Sequence, residues 1–137
     1  MSSYELDRQE CLRLLSGARV GRVVHTDRAL PACTPVAFRV VGREVVFRTA
    51  AGSRLAAATS DAVVAFEADE VDVDRGTGWS VLVTGVASTV RDVSALVRLE
   101  QLGLVPWDAD AATCWVHLAV ADVTGHRWSR DRWPLAS

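Results

Sequence analysis

Apolar residues near the N-terminus recur at helical spacing. Ser2-x-x-Glu5 is a capping-box pattern, and the apolar residues that follow it cluster between Leu6 and Leu15. Ser16-Gly17 then supplies the kind of small, flexible residue at which helices stop. The pattern predicts one helix over residues 4–15.

After this helix the hydrophobic period changes from helical to two. Residues 18–26 are rich in Val and end at a turn signal, and residues 33–41 alternate apolar with polar positions. Gly42-Arg43 separates that run from a second β-rich run at residues 44–49. Two such runs about a two-residue turn predict a β-hairpin.

The rest of the chain mixes short helices with further strands. Ser53 and Asp92 are typical N-cap residues ahead of stretches rich in Ala or Leu, which predicts two short helices. Gly85 indicates a bend or bulge within a strand. The other predicted segments are a buried strand at 62–68, an acidic solvated loop at 69–78, a long strand at 79–90 and a last long strand at 113–123.

This order of elements lacks the regular β-α alternation that builds a parallel sheet. A small antiparallel barrel of about six strands fits it better, because closure leaves no exposed sheet edge. The chain contains no internal repeat and no linker, so we expect residues 1–137 to form one mainly β domain. Residues 129–137 are predicted to be a flexible tail.

Composition excludes several classes of function. The chain has 137 residues, half of them apolar, and a net charge of −2, so it offers no basic footprint for nucleic acid. No apolar run reaches the roughly 18 residues that span a bilayer. The polar, acidic N-terminus is unlike a secretory signal. We therefore expect a cytoplasmic protein that works on neither nucleic acid nor a membrane.

The basic and sulfur-containing residues add two details. All 15 basic residues are Arg, and Lys, Ile and Asn are absent, which indicates a GC-rich genome. A position that requires a cation is therefore Arg by default in this chain. Cys11, Cys33 and Cys114 are odd in number and widely spaced, which predicts reduced and mostly buried thiols.

The most informative stretch is residues 47–54, where a strand end, a small-residue loop and a helix start follow one another. Backbone N–H groups at a helix start lack intrahelical partners and carry partial positive charge. Two cations, Arg48 and Arg54, and two hydroxyls, Thr49 and Ser53, lie within the same stretch. Together these groups can hold a phosphate. The alternative is that Ser53 only caps the helix while both arginines are solvated.

Other patterns carry no chemistry. Cys114-x-x-His117 looks like half of a metal site, but positions three apart in a strand face opposite sides, so no metal site is predicted. Gly76-x-Gly78 is followed by a strand, where a dinucleotide site needs a helix. Neither a nucleophile elbow nor a Walker loop occurs, and no catalytic side chain is assigned. His25, near a turn, is predicted to be exposed.

Taken in order, these segments resemble the pyridoxamine 5′-phosphate oxidase-like family, the FMN-binding split β-barrel flavoproteins. The resemblance covers most of residues 5–128. It implies a six-stranded antiparallel split barrel with an N-terminal helix and two short helical insertions. The segments that carry it are Gly21-Arg22-Val23, Pro35–Phe38, Val46–Thr49 with Gly52–Leu55, Val64–Glu67, Gly78–Gly85, Pro106-Trp107 and Val123–Gly125.

The family resemblance also implies a cofactor site. Bound FMN is expected, with its phosphate held by the strand, loop and helix described above. Family members usually bind the cofactor at a homodimer interface, so Trp107 is expected to reach the partner's flavin. The cofactor-binding residues carried over by position are Arg48, Thr49, Ser53 and Arg54 at the phosphate, Pro35 and Val36 beneath the ring, Ser80 near its polar edge, and Trp79 and Trp107 against it.

The activity implied by the resemblance is hydride transfer through the flavin to a small acceptor. Ala37-Phe38 stands where many relatives carry polar residues, and the basic residues expected for phosphorylated pyridoxamine are missing, so oxidation of that compound is not expected. A related reductase that uses deazaflavin F420 is one alternative. The others are a non-catalytic flavin- or haem-binding module and a barrel without cofactor that acts through protein contacts.

Overall fold

The computed structural model describes residues 2–107 and 112–129. Antiparallel strands dominate it, and three helices interrupt them. The elements are β1 (Ser2–Glu5), α1 (Arg8–Gly17), β2 (Val20–Asp27), β3 (Leu30–Val41), β4 (Glu44–Ala50), α2 (Arg54–Ala58), β5 (Ala62–Asp72), β6 (Thr77–Thr89), α3 (Val93–Glu100), β7 (Thr113–Ala119) and β8 (Asp122–Ser129).

Six of the strands close into a ring. The order β6-β5-β2-β3-β4-β7 returns to β6, because Ala87–Thr89 of β6 pairs with Val116–Leu118 of β7. The first half of β6 pairs instead with β8, which carries β1 on its other side. β6 therefore belongs to both the ring and a three-stranded extension. The predicted mainly β, antiparallel split barrel is confirmed.

The barrel divides at Gly85. Pairing of β6 with β8 ends at Thr84, and pairing with β7 begins at Ala87. A Cβ atom at position 85 would lie 1.8 Å from the carbonyl oxygen of Ala119, the last residue of β7. Only glycine therefore allows β6 to approach the chain so closely between its pairing with β8 and its pairing with β7. The bend predicted at Gly85 is thus the point where the sheet splits.

The barrel interior is built from alternating strand positions. Phe38, Phe47 and Phe66 are fully buried within it, and Phe38 meets Phe66 edge to face with ring centroids 4.7 Å apart. The Phe66 ring also covers Gly21, where a Cβ would come within 2.1 Å of the ring. The interior is therefore a packed core, and a ligand has to bind on its outside or at its rim.

The N-terminal helix begins later than predicted. Asp7, whose carboxylate accepts from the Glu10 backbone N–H, is its N-cap, and the helix runs from Arg8 to Gly17. Ser2–Glu5 is a strand that pairs with the end of β8, so the capping-box pattern there was misleading. A partner strand distant in sequence decides the conformation of these residues.

Three further boundaries differ from the sequence prediction. Residues 113–123 form β7 and the start of β8, because the chain turns at Val120 and Ala121 after leaving the ring. Much of the acidic stretch 69–78 is paired strand, with Asp72 opposite Thr77. Ser129 is the last residue of β8, and the remainder of the predicted tail lies outside the described residues.

The described helices are short. None of them is both long enough and apolar enough to cross a bilayer.

Candidate functional site

A cavity of about 310 Å³ opens beside the middle of β3 and the end of β4. A volume of this size is at the lower end of the range for small-molecule sites. Its wall includes Pro35 and Val36 from β3, Arg48 and Thr49 from β4, and the loop after α3. The other lining residues are Thr34, Ala37, Ala50, Ser53, Leu55, Leu104, Val105, Pro106 and Trp107.

Arg48 is held firmly at one side of this cavity. Its Nη2 atom donates to Thr113 Oγ1 at 2.8 Å and lies 3.5 Å from Glu100 Oε1, while Nη1 donates to the Leu104 carbonyl at 3.2 Å. The guanidinium carbon lies 5.0 Å from the centre of the Trp115 ring. These contacts fix the orientation of a side chain that is only 21% exposed.

The contacts do not use all of the Arg48 donors. Its Nε atom is buried and has no hydrogen-bond partner among the described residues. A buried donor without a partner costs free energy, of the order of 1–3 kcal/mol, unless a ligand or water satisfies it. Since Arg48 lines the cavity, a bound anion is a natural partner for the remaining N–H groups.

Two hydroxyl-bearing residues, Thr49 and Ser53, line the same cavity as Arg48. Thr49 Oγ1 and Ser53 Oγ are 3.2 Å apart, and Ser53 Oγ accepts from the Ala56 backbone N–H at 3.0 Å as the N-cap of α2. The predicted role of Ser53 as a cap is confirmed. Both residues also line the cavity, so capping does not remove them from reach of a ligand.

Arg54 turns away from these groups. Its guanidinium is 65% exposed and lies 3.4 Å from Asp27 Oδ2 at the end of β2. Arg54 does not line the cavity. Of the four residues predicted to hold a phosphate, the structure brings together Arg48, Thr49 and Ser53 and leaves the fourth at the surface.

The residues predicted to contact the ring also separate into two groups. Pro35, Val36 and Trp107 line the cavity, with Trp107 at its rim and 62% exposed. Trp79 is buried in β6 and faces the other end of the sheet, where Val71 and Arg127 are neighbours in a separate depression. Ser80 pairs with Asp69 on β5 and with His126 on β8, outside the cavity lining.

Sequence patterns missed several residues around Arg48. Thr113 and Glu100 contact its guanidinium from β7 and α3, and the Leu104 carbonyl contacts it from the loop between those elements. None of these residues belongs to a local motif with Arg48. These residues could be found only from the sheet register, which pairs Arg48 with Trp115 across two adjacent strands.

His25 is buried, so the prediction of an exposed residue was wrong. Inward positions of β2 alternate as Gly21, Val23 and His25, and His25 is 6% exposed. Its Nε2 atom lies 2.9 Å from Thr34 Oγ1, which lines the cavity. The Nδ1 atom has no partner among the described residues.

The cysteines are more exposed than predicted. Cys11 is buried and Cys114 half-buried, and burial raises the pKa of both thiols, which keeps them protonated and unreactive. Cys33 is exposed on β3. No three His, Cys, Asp or Glu side chains gather into a metal-binding cluster in residues 2–107 and 112–129.

A charged cluster lies on the outer face of β2 and β5. Arg22 Nη1 is 3.2 Å from Glu67 Oε1 and 3.5 Å from Asp69 Oδ2. Burial, followed by the hydrogen bond with Asp69 and the charge of that carboxylate, raises the pKa of Glu67 to about 7, although Arg22 opposes the shift. Both carboxyls approach the one guanidinium, and the Glu67 carboxyl is the one that keeps a proton up to near neutral pH.

Comparison with known proteins places this geometry in a family. The sequence profile of the pyridoxamine 5′-phosphate oxidase family matches residues 7–127. The chain belongs to the pyridoxamine 5′-phosphate oxidase family. The match includes both the split barrel and the wall of the cavity, so the family predicted from the order of segments is confirmed.

Proteins with similar sequences occur in mycobacteria. The chain is 44% identical over 132 residues to Uncharacterized protein Rv0080 of Mycobacterium tuberculosis, covering 93% of this chain and 86% of that protein. It is 40% identical to the FAD binding protein from Mycobacterium smegmatis, with a TM-score of 0.79, covering 91% of this chain and 99% of that one.

A more distant structure shares the fold alone. The FAD and haem binding protein from Mycobacterium smegmatis is 18% identical, with a TM-score of 0.72, and the alignment covers 92% of this chain and 73% of that one. The fold is therefore maintained at low sequence identity.

Proposed function

We propose that this protein is a flavin-dependent oxidoreductase that holds the phosphate of its flavin against Arg48, Thr49 and Ser53. The observation that carries the proposal is the partly buried Arg48 guanidinium, which is held at the cavity with its Nε donor unpaired, while Thr49 and Ser53 bring two hydroxyls to the same lining. An anion is the group that this combination of donors fits best. The 40% identical FAD binding protein supports a flavin as the molecule that carries it.

Each of the three side chains has a distinct part in this site. Arg48 supplies positive charge and further N–H donors, in an orientation that Glu100 and Thr113 fix. One of the Thr49 and Ser53 hydroxyls donates to the other, which leaves the second hydroxyl proton free to donate to a phosphate oxygen. Because α2 is only one short turn, the side chains rather than the helix dipole provide the attraction.

The apolar part of the cavity suits a flat ring. Pro35 and Val36 form its floor on β3, and Leu104 and Trp107 rise from the loop after α3. These residues exclude water from one face of a bound ring and leave its other face open. When bound, a flavin itself supplies the redox chemistry, and the protein supplies position and dryness.

A second copy of this chain is the proposed cover for the open face. Val105 and Trp107 at the rim of the cavity are 65% and 62% exposed. The outer faces of β2, β5 and β6 carry further exposed apolar residues, Val24, Val63, Leu82 and Val86. Apolar patches of this kind mark interfaces, so we propose a homodimer with the cavity at its seam.

The donors at Arg48 fit more than one flavin. FMN is the sequence-based prediction, the FAD binding relative supports FAD, and F420 also carries a phosphate on its side chain. The substrate is proposed to be a small electron-poor molecule, and we expect the protein to act in the cytoplasm. The site does not carry the basic residues that phosphorylated pyridoxamine would need.

Equilibrium titration with each flavin tests the proposal. We expect wild-type protein to quench the fluorescence of FMN or FAD on binding, and to oxidise NADH or NADPH in the presence of an acceptor dye once the flavin is bound. Sedimentation velocity in the same samples reports the oligomeric state. A matched control is Arg13→Gln, which removes an exposed guanidinium on α1, far from the cavity.

Two results would contradict the proposal in different ways. If FMN, FAD and F420 all fail to bind, the proposed cofactor is wrong, and the result favours a barrel that acts through protein contacts. Tight flavin binding without turnover with either nicotinamide or reduced F420 would remove the enzymatic part and favour a carrier or sensor. A monomer that binds flavin with undiminished affinity would contradict only the proposal that two copies share the cavity.

A further inference from the structure

A second cavity lies beneath α3, on the outer face of β4 and β7. It measures about 500 Å³, larger than the cavity at Arg48, and the two share no lining residue. Its floor is apolar, with Val46 from β4, Val90 after β6 and Leu99 from α3. We refer to it as the α3 cleft, lined by Val41, Glu44, Val46, Val90, Arg91, Asp92, Ala95, Arg98, Leu99, Leu102 and His117.

The cleft exists because α3 is anchored to the sheet at one end. Leu99 is the only residue of this helix that is buried, where it packs with Val46 and Trp115. Leu96 packs partly buried against the same cluster, whereas the small side chain of Ala95 lines the cleft. The helix therefore covers the outer face of β4 and β7 without filling the space beneath it.

Two guanidiniums at the cleft are without ion pairs. Arg91 and Arg98 both line it, and neither forms a salt bridge with another described residue. The two carboxylates in the lining have partners within the cleft. Asp92 accepts from the Ala95 backbone N–H at 2.9 Å, and Glu44 lies 2.9 Å from His117 Nδ1.

We propose that the α3 cleft binds a small organic anion with an apolar body, such as a hydrophobic carboxylate or sulfonate. The apolar floor suits the body of such a molecule, and Arg91 and Arg98 suit its charge. The side chains of Glu44 and His117 give a polar end opposite the helix. This site is distinct from the one in the flavin proposal, since the two cavities share no lining residue.

The test uses two dyes that share an apolar body and differ in charge. We expect 8-anilinonaphthalene-1-sulfonate to bind wild-type protein with one high-affinity site, and the neutral N-phenyl-1-naphthylamine to bind at least ten-fold more weakly. The double variant Arg91→Gln/Arg98→Gln is expected to weaken binding of the anionic dye by at least ten-fold. Arg13→Gln and Arg48→Gln, which lie outside the cleft, are expected to leave it unchanged.

A second variant tests the space rather than the charge. Ala95→Phe places a large side chain in the cleft and is expected to abolish binding of the anionic dye, with circular dichroism and thermal unfolding confirming a folded protein. Equal affinity of the anionic dye for wild type, the double arginine variant and Ala95→Phe would overturn the proposal. So would equal binding of the neutral dye, or dye binding lost only with Arg48→Gln. The proposal would also be overturned if wild type binds no dye and Ala95→Phe converts a dimer to a monomer. In that case a second copy of the chain occupies the cleft.

Discussion

Two regions of this protein place arginine side chains in different surroundings. At the Arg48 corner, defined by Arg48, Thr49 and Ser53, polar side chains are partly buried together and one donor is left unpaired. Arg22 on the outer face of β2 and Arg54 on α2 form ion pairs through side chains that are about half exposed or more. Attraction between charges is stronger where water is excluded, so the buried corner rather than the number of arginines marks the site.

The largest expected effect is at Arg48. Replacing Arg48 by Gln removes the charge that the proposed phosphate requires, and a charge-assisted hydrogen bond contributes about 1.5–3 kcal/mol. We expect flavin affinity to fall by about ten-fold or more, measured by fluorescence titration. Circular dichroism and the melting temperature establish that the variant is folded. An unchanged dissociation constant would show that the corner does not bind the cofactor.

Ser53 tests the corner in the absence of any ligand. Its hydroxyl caps α2, and loss of an N-cap typically costs about 1 kcal/mol. We expect Ser53→Ala to lower the free energy of unfolding in urea by about that amount, while Ser53→Thr keeps most of it. Ser94→Ala, at an exposed position of α3, is the matched control. Equal destabilisation of the two alanine variants would show that the cap does not hold α2 in place.

The charged cluster of Arg22, Glu67 and Asp69 can be tested by measuring the free energy of unfolding as a function of pH. The pKa of Glu67 is raised from the ordinary value of 4.5 to about 7, first by burial and then by Asp69. Between those two values the folded protein keeps a proton that the unfolded chain has released, so the free energy of unfolding falls as pH rises through this window. We expect Glu67→Gln to flatten that dependence in urea titrations.

Glu70 is the matched control for this experiment. It is an exposed neighbour on β5, and Glu70→Gln is expected to keep the wild-type pH dependence. A Glu67→Gln profile that is parallel to wild type between pH 4.5 and 7 would contradict the raised pKa of Glu67.

The smallest expected effect is at Arg54. Its ion pair with Asp27 is exposed, and exposed pairs contribute about 0–1 kcal/mol. We expect Arg54→Ala to change flavin affinity by less than about three-fold in the same titration as Arg48→Gln. A loss as large as that of Arg48→Gln would mean that Arg54 leaves Asp27 and turns toward the ligand on binding, and the contrast between the two regions would disappear.

Local patterns predicted much of the fold. The hairpin about Gly42-Arg43 and the N-caps of α2 and α3 depend on neighbouring residues, and all of them are present. Ser2–Glu5 was misread because its capping pattern competes with a strand partner more than a hundred residues away. A pattern confined to four residues carries no information about such a partner.

The candidate site was predictable only in part. Arg48, Thr49 and Ser53 could be selected because they are close in sequence and chemically suited to a phosphate. The direction of Arg54 could not be predicted, since it depends on Asp27 approaching from another strand. Trp79 was selected by sequence order along β6, but its position in the sheet places it away from the cavity.

The amino-acid sequence by itself determined the alternation of inward and outward positions, the turns, the caps and the family. These properties depend on residues within a few positions of one another, or on their order along the chain. Only the tertiary structure decided that His25 is buried, that β6 is shared between β7 and β8, and that Arg48 is held by Glu100 and Thr113. Each of these depends on sheet register, because register brings together side chains that are distant in the chain and determines which of them lose contact with water.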